Sequence, residues 1–160
     1  MSLIKPEQLF LKYSYPCAHV LLEMGSITES KLEELKENVI KNKVMLQSEL
    51  ESLFPAAFRR IKEVAKKMNK TYWNVDVIRK YFLEEHNNYI DERDGGYADF
   101  GKTFREFCKV FKGTVVSKNE NMLTVVFENQ QRNVFSDILP KAEIGDIVTI
   151  HQGFAVEKFD

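Results

Sequence analysis

The stretch Cys108-Lys109-Val110-Phe111-Lys112-Gly113-Thr114-Val115-Val116 is where the chain changes character. Before it, apolar residues recur three and four positions apart, the spacing of a helix face; after it, β-branched and aromatic residues come in short runs divided by turn residues. The reading is α+β: an N-terminal helical domain of three to five helices, residues 1–107, packed on a small C-terminal barrel of five strands and OB-like form, residues 108–160. Candidate strands are Val110–Val116, Met122–Phe127, Arg132–Phe135, Ile147–His151 and Phe154–Lys158. Closure is expected because so small a sheet has nothing else to cover its edges.

Upstream, the clearest helix is expected over Ser26–Leu53, with Leu32, Leu35, Val39, Leu46, Leu50 and Leu53 on one face and Ser26 with Glu29 as a capping box. Pro55 suits the first turn of a second helix, whose stripe is Ala57, Ile61, Val64 and Met68. Asn74 caps a third, running to about Tyr89 with Ile78, Phe82 and His86 in line. A short helix over Lys102–Phe107 follows a polar turn at Asp91–Gly96.

Composition limits the function. Basic and acidic residues number 17 and 17 up to Cys108, and 6 and 7 beyond it, so neither part has the positive excess that nucleic acid would call for. No run is long and apolar enough for a membrane span or a signal peptide, so no membrane association and a cytoplasmic location are expected. Two cysteines make no disulfide framework and fit a reducing compartment. No phosphate-binding glycine loop, serine elbow, HExxH helix or CxxC pair is present, and an enzyme is not expected.

The segment from Cys108 to Val115, with Gly113 five residues after the Cys, is followed by Asp137-Ile138-Leu139-Pro140, by Gly145-Asp146, and by His151-Gln152-Gly153-Phe154-Ala155. In order and spacing these resemble the HypC/HupF family of hydrogenase assembly chaperones. The resemblance covers residues 108–160, and it makes the barrel HypC-like. It implies a protein with no intrinsic cofactor that carries transient iron, as an Fe(CN)2CO centre, between a HypD-like protein and the precursor of the hydrogenase large subunit. It places the family's Cys at Cys108 and its late His at His151, with Gly113, Pro140, Gly145, Asp146, Gly153 and Phe154 as motif positions. A thiolate suits such iron, and an imidazole beside it would lower the thiol pKa or act as a second ligand.

Three departures stand out. Here 107 residues precede the Cys, so its nitrogen is an ordinary amide. Lys112 stands where the family usually has Pro, and no helix follows the last strand. The N-terminal helices are expected to take that helix's place against the barrel. The iron reading depends on the Cys108 thiol being presented at the mouth of the barrel; the bland reading is a small buried hydrophobe at a helix-to-strand junction. His151 reads equally as a strand-end residue bonded to a loop carbonyl.

A second constellation is Cys17, His19 and His86, donors of the kind that bind zinc, though their spacing matches no ribbon or finger. Arg59, Arg60, Lys62, Lys66 and Lys67 read as a solvated helix face, and Asp91 to Asp94 as a turn. The competing class of function is a protein-binding or scaffold module that reuses the barrel without metal chemistry.

Overall fold

The computed structural model describes residues 3–159. Its helical part consists of α1 (Pro6–Glu23), α2 (Glu29–Ile40), α3 (Gln47–Leu53), α4 (Pro55–Met68), α5 (Val75–Lys80), a π-helical turn (Tyr81–Glu85), α6 (His86–Asp91), a 3-10 turn (Gly95–Asp99) and α7 (Lys102–Cys108). With α5, the π turn and α6 counted as one continuous helix, six helices are present among the described residues.

The helix expected over Ser26–Leu53 is two. Asn42 takes a left-handed conformation (φ 52°) after α2, and the chain restarts at α3 with Leu46 exposed at its N-cap. Asparagine is among the few residues that tolerate that conformation, which is why a helical stripe can stop there. The capping box at Ser26 is not used either. Thr28 caps α2, its hydroxyl accepting from the Lys31 N–H at 3.1 Å. Pro55 and Asn74 open α4 and α5 as their residue types suggest.

The C-terminal part is a closed barrel of β1 (Val110–Asn119), β2 (Met122–Phe127), β3 (Gln130–Phe135), β4 (Ile147–His151) and β5 (Phe154–Phe159), ordered β1-β2-β3-β5-β4. β1 closes it by pairing with β4 through Val110–Thr114 and with β2 through Thr114–Asn119, bending at a bulge between Val115 and Ser117. Gly113 lies where β1 crosses β2: a Cβ there would stand 2.4 Å from the Val126 carbonyl oxygen. Only glycine fits that approach.

Two apolar cores form. One fills the barrel with Leu123, Val125, Val134, Val148 and Ile150; the other joins Phe10, Leu35, Phe58, Ile61 and Ile78 of the helices to Val110, Ile138, Phe154 and Val156 of the barrel. The helices therefore cover the barrel as the sequence suggested.

Polar contacts fix the junction. The Asn87 side chain donates to the Val110 carbonyl and accepts from the Val110 N–H, both at 2.8 Å, pairing with β1 as a neighbouring strand would. Tyr13 Oη donates to Glu157 Oε1 at 2.7 Å and lies 3.0 Å from Thr149 Oγ1. Among the described residues, no helix is long and apolar enough to cross a membrane.

Candidate functional site

Cys108 ends α7 and is 2% exposed, so the expected outward presentation of its thiol is not what the fold provides. The sulfur turns inward to a cavity of about 280 Å³ between α1, α4, the π turn and the barrel. The walls are mostly apolar, and their polar groups include those of Ser14, Cys17, Arg60, Tyr81, His86, Tyr97, Cys108 and Gln152. Cys17 reaches it because Ser14, Cys17 and Leu21 share one face of α1.

Gln152 links the two sulfurs. Its Nε2 lies 3.8 Å from Cys108 Sγ and 3.9 Å from Cys17 Sγ, although the thiols are 91 positions apart in sequence. Gln152 holds a left-handed backbone (φ 54°) in the turn between β4 and β5, where a residue with a side chain pays about 1 kcal/mol. That strained turn carries a buried carboxamide to the cavity floor.

His151, the last residue of β4, is fully buried. Its Nδ1 lies 2.7 Å from the Tyr13 carbonyl oxygen, which can only accept, so Nδ1 carries the hydrogen. This carbonyl is next to that of Lys12, which Pro16, inside α1, leaves without its usual helical donor. Burial pushes the His151 pKa down to about 4, against the opposing pull of the Tyr13 and Cys108 carbonyls, and the ring is neutral. Nε2 is then an acceptor, 3.6 Å from Cys17 Sγ, and the Cys17 S–H donates to it. The imidazole thus serves the thiol of α1, and meets Cys108 through the backbone.

Both thiols are protonated. Burial raises Cys17 to about 12, with Cys108 nearby adding to the effect and Arg60 opposing it. Burial raises Cys108 to about 11, against the Gln152 hydrogen bond and Arg132. Neither is a ready nucleophile.

His86 packs edge-on against His151, ring centroids 5.1 Å apart, and its Nε2 lies 3.4 Å from Tyr97 Oη. Burial first, and then the neighbouring His151, hold its pKa well below the ordinary value.

His19, two residues from Cys17 and so on another side of α1, stacks on Phe154 at 5.2 Å and meets Tyr15 edge-on at 5.3 Å. Cys17 and His86 line the cavity while His19 docks α1 on the barrel, so the set Cys17, His19 and His86 is not gathered. Among the described residues, no three His, Cys, Asp or Glu side chains come together as a metal site.

Arg60 corrects another reading. It is 5% exposed rather than solvated, its Nε donating to Asp94 Oδ2 at 2.8 Å and its guanidinium lying over the Tyr97 ring at 4.8 Å. The Asp91–Asp94 turn therefore has a partner inside the molecule.

The other motif positions shape the barrel. Gly145 (φ 95°) turns the chain into β4, its N–H donating to the Val115 carbonyl at 2.8 Å. Asp146 accepts from the Glu143 N–H at 2.8 Å, Pro140 lies in the preceding turn, and Gly153 follows Gln152 between β4 and β5. Gln152 and Tyr97 were not read as site residues from sequence, and Arg60 was read only as part of a solvated face. The one available signal was a long polar side chain at position 152, in a turn between two apolar strands.

By fold and site, this is a small closed barrel under a helical cover, with two thiols facing a cavity at the junction. Residues 108–160 match the HupF/HypC family; the helices before them match no family. No curated protein matches the chain. The likeness of this segment suggests a hydrogenase maturation chaperone.

Proposed function

We propose that the chain is an accessory protein of nickel-iron hydrogenase maturation that uses Cys108 to hold an iron complex in passage between a HypD-like protein and the precursor of the hydrogenase large subunit. The observation that supports this reading is that the family match begins at Cys108 and that this thiol faces a cavity rather than packed side chains. Its raised pKa keeps it protonated until a thiophilic metal displaces the proton, because a coordinated thiol is deprotonated by the metal itself. The iron is cargo, so the protein alone needs no metal.

The test is anaerobic co-purification with both partners expressed. Wild type is expected to carry iron and the HypD-like partner, and Cys108→Ala to lose both. Unchanged association and iron in that variant would refute the assignment.

A second reading, partner binding without metal chemistry, is favoured by one feature. Val126 and Ile147 flank Thr114 across β2, β1 and β4, and both are exposed (38% and 41%) beside Val116 (48%). On that reading Cys108→Ala keeps its partner, and iron is absent from wild type too.

A further inference from the structure

The segment that matches the family contains one cysteine, Cys108, yet the cavity it faces has a second sulfur on its wall, supplied by α1. Three observations make Cys17 more than a bystander. One carboxamide nitrogen reaches both sulfurs, at 3.8 and 3.9 Å, so they can be no farther apart than the sum of those contacts. The carboxamide is held there by a backbone conformation unfavourable for glutamine. The Cys17 S–H is already held by the site, pointing at His151 Nε2 at 3.6 Å.

The cavity adds a fourth. Its volume of about 280 Å³ is many times that of a bare ion, and about nine waters' worth at ~30 Å³ each. It accommodates a metal centre together with ligands of its own, beside the buried donors of Arg60 and Gln152 and the half-buried Tyr97.

We propose that Cys17 and Cys108 form one dithiol site, which takes a thiophilic metal centre that arrives already carrying other ligands. This deepens the proposed function and rests on it for the identity of the cargo. The step is a ligand exchange without electron transfer: two S–H bonds break, two metal–sulfur bonds form, two water ligands leave the incoming centre, and two protons depart to solvent. The helical part then supplies half of the protein's ligands, which a free barrel could not.

The test uses a trivalent arsenical, phenylarsine oxide, on the reduced full-length chain under anaerobic conditions. Its oxygen leaves as water with the two thiol protons as two arsenic–sulfur bonds form, so a lasting adduct requires paired thiols. Wild type should gain one arsenical per chain, with both cysteines protected from maleimide, and the adduct should survive excess monothiol and be reversed by a dithiol. Cys17→Ala, Cys17→Ser and Cys108→Ala should each lower the monothiol-resistant adduct at least tenfold, with circular dichroism confirming that each is folded. A wild type that takes no adduct, or a Cys17 variant that keeps it, overturns the dithiol site. Iron in the co-purified protein separates the two proposals. Loss of iron in Cys108→Ala with full retention in Cys17→Ala sinks the dithiol site and spares the iron-carrying function. A normal adduct in a protein that never carries iron sinks the function and leaves the dithiol.

Discussion

Acidification should weaken the fold through His151, by an amount the junction geometry sets. Free in an unfolded chain, the imidazole takes a proton near 6.5; folded, it does so only near about 4, because burial outweighs the opposing pull of the Tyr13 carbonyl on Nδ1. Between those values the unfolded chain binds more protons, so stability is fully present above 6.5 and falls as pH drops toward about 4. At 1.36 kcal/mol per pH unit the whole passage costs about 3 kcal/mol, of which about 2 kcal/mol is gone by pH 5. That is a large share of the roughly 5–15 kcal/mol that holds a domain together. His86 acts in the same direction: burial first, and then His151 across their 5.1 Å contact, make its protonation harder. The assay is urea unfolding at pH 7.5 and pH 5 on wild type and His151→Asn, whose amide can still donate to Tyr13 but cannot titrate. The variant should lose about 2 kcal/mol less than wild type over that interval. Equal losses in the two proteins, or a His151 ring that titrates near 6.5 by NMR, would refute the buried neutral imidazole.

Gly113→Ala forces a methyl onto the Val126 carbonyl and should cost about 1–3 kcal/mol, read as a lower thermal midpoint. Phe154→Ala removes the ring that receives both His19 and Tyr15, and should cost about 3–5 kcal/mol in chemical denaturation, with increased protease cleavage in α1. Asp94→Ala leaves the Arg60 guanidinium buried beside the cavity without its carboxylate. A loss of about 3 kcal/mol is expected, partly recovered in the double variant Arg60→Met/Asp94→Ala.

Much of the architecture is legible in the residues because local rules and burial agree there. The strands from β1 to β5 alternate or run apolar between turn residues, and Pro55 and Asn74 mark helix starts by backbone chemistry alone. The split of Ser26–Leu53 was hidden because the leucine spacing continues through the break, and one asparagine outweighs it. Arg60 misled for a different reason. A charge on an amphipathic helix belongs outside unless a distant group neutralises it, and Asp94 lies 34 positions away. The site was only half legible: Cys108 and His151 follow from the family resemblance, while their actual partners, Gln152 and Cys17, depend on how α1 lies against the barrel, which no local pattern encodes.

The junction explains why the helices are more than a lid. Its polar groups are divided between the two parts: buried Tyr13 and His86 and half-buried Cys17 come from the helices, and buried Cys108, Thr149, His151, Gln152 and Glu157 from the end of α7 and the barrel. Groups of this kind are costly when buried unpaired, so each half is stable in its present form only against the other. Separating them would leave the His151 Nδ1–H without the Tyr13 carbonyl, and would open the Cys108 sulfur to solvent and ease its ionisation, since burial is what raises its pKa. The packing that stabilises the fold and the burial that keeps both thiols protonated are therefore one physical arrangement, and a centre that binds both sulfurs must be attractive enough to overcome that burial.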